Sequence, residues 1–250
     1  MQDVYFTYVL FGAAAVATVA YGVRLATGAA AYSERVERIG GTPLLGKGVM
    51  NLMYWAIDPI VRLLGWLGVS ANALTWSALV SGLGAGGALA TGWFGLGCLL
   101  ATVSTLCDLL DGQVARITKT GSDRGELLDA AIDRYTEFAF ATGLVVYFHA
   151  SVPLVLLSLG ALLACIMVSY ATAKAEALGV APPRGLMRRH ERGTYLILGA
   201  GLTSLIGDQL TSAWPDLPRE TPQIVALAAV AIIGNIAAVL RLVRIGRAVR

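Results

Sequence analysis

Apolar stretches of about 20 residues, the length that a helix needs to cross a lipid bilayer, recur along the 250-residue chain. Because backbone polar groups inside a bilayer must be hydrogen-bonded internally, such stretches fold as helices. Only 14% of the residues are charged, against about 25% in soluble domains. The sequence therefore predicts an all-α integral membrane protein. Its seven predicted spans are residues 4–23, 73–91, 94–110, 127–148, 153–173, 194–210 and 221–240.

The segments before the second span divide the chain into parts. The first apolar stretch lacks the basic start of a secretory signal peptide, so we expect it to be retained as a transmembrane helix. A polar linker follows, and then a segment that mixes apolar and tryptophan side chains with charged ones. That mixture is typical of an amphipathic helix lying in the membrane interface. The expected parts are an N-terminal helix with its linker (1–46), an interfacial helix (47–69) and a six-helix transmembrane domain (70–250).

The basic residues predict the orientation. If the N-terminus lies outside, 18 of the 19 Lys and Arg residues fall on the cytoplasmic side, and only Arg219 lies outside. Positive charge in the connections favours the cytoplasmic side of a membrane. We therefore expect a multi-pass protein of the cytoplasmic (inner) membrane. The net charge of +3 is too small to indicate a nucleic-acid partner.

Four aspartates lie close together in this apolar chain, although an acid at the centre of a bilayer costs roughly 2.5–3.5 kcal/mol. Asp108 and Asp111 are three residues apart, and Asp129 and Asp133 are four apart, so each pair shares one face of a helix. A polar turn between the two helices would bring all four carboxylates together. Divalent cations would relieve their repulsion, and an all-oxygen site favours Mg²⁺, Mn²⁺ or Ca²⁺. We predict a metal-dependent phosphate site with about two ions; an acid-lined cation transporter is the alternative.

The residues between and beside these aspartates suit a phosphate ligand. Gly112 has no side chain, so a ligand can approach its backbone. Ala115 keeps the same helix face open, and Arg116 supplies a forked donor for phosphate oxygens. Gly125 opens the second helix near the same place.

Together these residues resemble the signature of the CDP-alcohol phosphatidyltransferases, DxxDGxxAR followed after eight residues by GxxxDxxxD. Every signature position is matched. The resemblance extends from about residue 70 to the C-terminus and implies a six-helix core, to which residues 4–23 add an extra helix. It implies an enzyme of phospholipid biosynthesis that moves a substituted phosphate from a CDP-linked donor to an alcohol, releasing CMP by direct displacement. It also implies a homodimer.

The resemblance assigns roles residue by residue. Asp108, Asp111 and Asp129 would hold the metal, expected to be Mg²⁺ or Mn²⁺. Asp133 would lie near the metal and act as the general base that takes the proton from the acceptor hydroxyl. The implied CDP-binding residues are Asp108, Gly112, Ala115, Arg116 and Gly125.

The acceptor is indicated by a second group of residues in the C-terminal half. A Ser-Tyr helix end and an Arg-x-x-Arg helix start resemble the bacterial phosphatidylinositol phosphate synthase branch of the family. The donor would then be CDP-diacylglycerol, and the acceptor a phosphorylated polyol such as inositol 1-phosphate. That branch tends to carry two basic residues at this helix end, where this chain has Thr172 and Lys174. Glycerol 3-phosphate, serine and free inositol therefore stay open as acceptors. The predicted acceptor residues are Ser169, Lys174, Arg189, Arg192 and Arg241.

Overall fold

A computed structural model describes residues 2–28, 46–181 and 185–249, and within these ranges all regular secondary structure is helical. Most of the predicted polar linker lies outside the described residues. The described helices are α1 (Gln2–Ala26), α2 (Gly46–Trp66), α3 (Ala71–Ala90), α4 (Phe94–Ile117), α5 (Asp123–Tyr147), α6 (Val152–Ala177), α7 (Arg189–Ala213) and α8 (Thr221–Ala248).

The N-terminal helix α1 is tied to the rest of the molecule at both ends. The Asp3 carboxylate accepts hydrogen bonds from the backbone amides of Gly95 (2.8 Å) and Leu96 (2.9 Å) at the start of α4. These amides have no partner within their own helix, so Asp3 caps α4 from another helix. Near the other end, the rings of Tyr21 and Trp55 lie 5.5 Å apart, which joins α1 to α2.

Helices α3 to α8 form the core of the protein. Helix α3 packs between α4 and α5, α6 packs along α8, and α7 contacts both α8 and α4. Small residues allow close approach, as membrane helices require. A side chain at Gly86 or Gly143 would run into the backbone of the facing helix. Leu89, Phe94 and Leu144 are fully buried at the centre.

Five helices, α1, α3, α4, α6 and α8, are long and apolar enough to cross a membrane. Helices α5 and α7 have 25 residues each and pack into the same bundle, but they carry the charged side chains of the site described below. The predicted all-α membrane fold is confirmed. The number of spans, seven, stays a prediction. Helix α4 continues past the predicted span end at residue 110 to Ile117, so the whole of its aspartate motif is helical.

Candidate active site

The turn between α4 and α5 sets the geometry of the site. Lys119 adopts a left-handed conformation (φ 56°) just after α4 ends. Ser122 then caps α5, because its hydroxyl accepts a hydrogen bond from the amide of Gly125 at 3.2 Å. The negative charges of Asp123 and Glu126 in the first turn interact favourably with the positive end of the helix dipole. The turn thus lets Asp108 of α4 approach Asp129 and Asp133 of α5.

Three of the four aspartates form a cluster. One carboxylate oxygen from each of Asp108, Asp129 and Asp133 lies within 4.8 Å of the others. The Oδ1 atom of Asp129 is buried and has no hydrogen-bond partner. A buried carboxylate oxygen without a donor, beside two further carboxylates, is suited to a hard divalent cation. The cluster therefore fits the metal that the sequence predicts, and these three residues could hold one.

Arg189 lies against this cluster. Its Nη2 atom donates to Asp108 Oδ1 at 3.0 Å and also to Asp133 Oδ1. The contact joins the start of α7 to both aspartate helices. Arg189, predicted as an acceptor residue, thus lies at the boundary between the acidic cluster and the cavity described below.

Asp111 lies outside the cluster of three and faces a different neighbour. It is 5% exposed, and its Oδ2 atom accepts a hydrogen bond from the Thr75 hydroxyl at 2.7 Å. The metal-ligand role of Asp111 stays a prediction. Thr75 was not among the residues predicted from the sequence. The signal available was a hydroxyl in the first turn of an apolar span.

Four of the five predicted CDP residues lie on the α4–α5 hairpin outside the cluster of three aspartates, and the fifth, Asp108, belongs to that cluster. Gly112 is exposed, and a β-carbon there would meet only Arg116 Nη2 at 3.8 Å. A β-carbon at Gly125 would lie 3.3 Å from the Ser122 hydroxyl and 3.9 Å from Asn72 Oδ1 at the start of α3, so this position is tighter. Ala115 is half-buried one turn after Asp111. The backbone at Gly112 is therefore open to a ligand, and the CDP-binding role of both glycines stays a prediction.

A cavity of about 390 Å³ lies beside the aspartate cluster. It brings together four of the five predicted acceptor residues, and Arg189 forms the wall nearest Asp133. Lys174 is exposed and is not among the residues that line the cavity. Arg188 lines the cavity, although the sequence did not predict it as a site residue. The polar lining consists of Ser169, Thr172, Glu176, Arg188, Arg189, Arg192 and Arg241.

Two arginines of this cavity are deeply buried, and not all of their hydrogen-bond donors have a partner. Arg192 is 1% exposed and donates from Nη1 to the Met187 carbonyl at 2.7 Å. Arg241 is 7% exposed and donates from Nη2 to the Leu186 carbonyl at 3.0 Å. The Nε atoms of both are buried without a partner. Buried cations with unused donors attract an anion, and a guanidinium suits phosphate oxygens.

A membrane protein with a carboxylate cluster that can hold a divalent cation, next to an arginine-lined cavity, is suited to transferring a phosphate group at the membrane. The chain matches the model of the CDP-alcohol phosphatidyltransferase family over residues 68–240, and it belongs to that family. It is therefore a transferase of phospholipid biosynthesis, as the sequence motif predicted. Family membership favours the enzyme over the cation transporter.

Known relatives agree with this assignment. The chain is 37% identical over 157 residues to a phosphatidylinositol phosphate synthase of Corynebacterium glutamicum. The matched region covers 60% of this chain and 70% of that protein. It is similar in structure to the phosphatidylinositol phosphate synthase of Mycobacterium tuberculosis in complex with manganese and citrate. That comparison gives a TM-score of 0.64 and 27% identity, covering 75% of this chain and 87% of the other. The same enzyme with CDP-DAG bound gives a TM-score of 0.62 and 28% identity, covering 75% and 92%.

Proposed function

We propose that this enzyme transfers a phosphatidyl group from CDP-diacylglycerol to inositol 1-phosphate. The observation that supports this choice of acceptor is the arginine-lined cavity, whose Arg189 contacts Asp133 and whose Arg192 and Arg241 have Nε atoms without a partner. Glycerol 3-phosphate would also bring a phosphate. Free inositol carries no anion and serine only a carboxylate, so neither would offer phosphate oxygens to the arginines. The names of the relatives support the same acceptor.

The donor is proposed to bind along the α4–α5 hairpin. Asp108, Gly112, Ala115, Arg116 and Gly125 would hold the CDP group. The open backbone at Gly112 supports this placement.

The metal is proposed to be Mg²⁺ or Mn²⁺, with two ions bound, held by Asp108, Asp111, Asp129 and Asp133. The unpartnered oxygen of Asp129 supports a cation at this position. The manganese in the mycobacterial structure supports the choice of metal. When bound, the metal neutralises charge on the diphosphate of the donor.

Asp133 is proposed to be the general base. Asp133 belongs to the cluster and bonds to Arg189, which lines the acceptor cavity; this supports a role in taking a proton from a hydroxyl group bound there. The acceptor oxygen then forms a bond to the phosphorus that carries the diacylglycerol. The bond from that phosphorus to the CMP oxygen breaks, and CMP leaves with the electron pair.

The setting in the membrane is also proposed. The site faces the cytoplasm from the inner membrane, because nearly all basic residues fall on that side. Helix α2 lies in the interface, with membrane lipids against its apolar face. We also propose that the chain divides into an N-terminal helix with its linker (1–46), an interfacial helix (47–69) and a six-helix domain (70–250). The protein is proposed to form the homodimer that the family resemblance implies.

An acceptor panel tests the proposed function. Purified enzyme with CDP-diacylglycerol and Mg²⁺ is given each alcohol in turn, and kcat/KM is measured from CMP release. Inositol 1-phosphate should be the preferred acceptor, and Arg192→Gln should remove that preference. Equal turnover of inositol and inositol 1-phosphate would contradict the role given to the arginines.

A further inference from the structure

Glu137 lies on α5 one turn after Asp133 and contacts an arginine with each of its oxygens. Oε2 accepts a hydrogen bond from Arg134 Nη1 at 2.7 Å. Oε1 accepts from Arg192 Nη2 at 3.5 Å. The side chain is 17% exposed, so both interactions are partly shielded from solvent. One carboxylate thus connects the helix of the proposed base to an arginine of the acceptor cavity.

Arg192 depends on this carboxylate for its charge balance. Its other described partners are neutral, namely the carbonyls of Met187 and Cys165 and the hydroxyl of Ser169. Among the described residues, Glu137 is the carboxylate within ion-pair distance of Arg192. A buried charge is stable only when it is paired and hydrogen-bonded. Glu137 therefore supplies the negative charge beside Nη2 of Arg192.

Arg134 forms the second half of this network. Its Nη1 atom donates to the Ser169 hydroxyl at 2.7 Å as well as to Glu137, and its Nη2 atom lies 3.7 Å from Asp133 Oδ2. Ser169 is also 3.4 Å from Arg192 Nη2, and so both arginines meet at this hydroxyl. Arg134 and Arg192 are thereby held at a fixed separation between α5, α6 and α7.

We propose that Glu137 is a positioning residue that sets the acceptor arginine Arg192 relative to Asp133. The inference rests on the proposed function of the arginine-lined cavity. Glu137 lines a second cavity, which Asp108 and Arg189 also line, and it is not among the residues that line the acceptor cavity. Its proposed effect on the acceptor is therefore transmitted through Arg192 and Arg134.

The test compares Glu137→Gln and Glu137→Asp with the wild type. Glu137→Gln keeps the shape and removes the charge, so the KM for the acceptor should rise about 10- to 100-fold, as for loss of a hydrogen bond to a charged group. The KM for CDP-diacylglycerol should not change. Glu137→Asp keeps the charge on a shorter arm and should raise the acceptor KM less. Glu220→Gln is the matched control, because Glu220 is 14% exposed and accepts a hydrogen bond from Tyr147 away from this network.

The outcomes separate the two proposals. If the wild type prefers another alcohol, the proposed function is wrong, and the Glu137 variants are measured with that alcohol. An unchanged acceptor KM in Glu137→Gln would overturn the positioning role. Equal rises in both KM values together with a lower melting temperature would also overturn it, because the residue would then support only the fold. If Glu137→Gln does not fold, Glu137→Asp decides, and a wild-type acceptor KM in that variant would contradict the proposal.

Discussion

Replacing Asp133 with Asn tests the proposed base with little change in shape. The carboxylate is 8% exposed, so the amide occupies the same buried space. Loss of a general base typically slows a reaction 10²- to 10⁴-fold, which corresponds to roughly 2.7–5.5 kcal/mol of activation free energy. Arg189 retains its ion pair with Asp108, at 3.0 Å, and its side chain is 37% exposed. The substitution therefore does not leave a buried cation unpaired. We therefore expect a large loss of kcat with little loss of stability.

The assay is the initial rate of CMP release at saturating CDP-diacylglycerol and acceptor, with the melting temperature measured in the same detergent. Asp208→Asn is the matched control, because Asp208 is 78% exposed and pairs only at 3.7 Å with Arg219. That variant should keep the wild-type kcat. A kcat for Asp133→Asn close to the wild-type value would refute the role of Asp133 as the base.

Three further variants test other parts of the structure. Thr75→Val removes the hydrogen bond to Asp111, and it should raise the half-activating Mg²⁺ concentration about 10- to 100-fold, as for other residues that orient metal ligands; an unchanged metal titration would contradict a role of Thr75 in orienting a metal ligand. Gly112→Ala meets only Arg116 in the fold, so the melting temperature should hold while the KM for CDP-diacylglycerol rises, and an unchanged KM would argue against a CDP site there. Asp3→Ala removes two hydrogen bonds to α4, which should lower the free energy of unfolding by about 0.5–2 kcal/mol with kcat unchanged; a wild-type unfolding curve would show that the contact does not stabilise the protein.

The helices and the family could be predicted because they depend on local patterns. Runs of apolar residues locate the helices, and the spacing of the aspartates places each pair on one helix face. The extent of α4 and α5 was less clear from hydropathy. Both helices continue through the charged motif, and the capping at Ser122 shows where α5 begins.

Contacts between helices were harder to predict, because they depend on how each helix is rotated and shifted against its neighbours. The bond from Thr75 to Asp111 and the network through Glu137 join residues 36 and 55 positions apart in the chain. Nothing in the local pattern indicates such partners. Lys174 illustrates the converse: it lies near Ser169 in sequence, but it is exposed and is not among the residues that line the cavity with Ser169.

The most direct test of the account is the balance between CMP and lipid product. Purified enzyme in mixed micelles is given CDP-diacylglycerol and inositol 1-phosphate, and both products are counted by chromatography and mass spectrometry. We predict one new phospholipid, carrying the acceptor, for each CMP. Both products should disappear with a chelator and return with Mg²⁺ or Mn²⁺. CMP release without a matching lipid, or release that is insensitive to the chelator, would contradict metal-dependent phosphatidyl transfer.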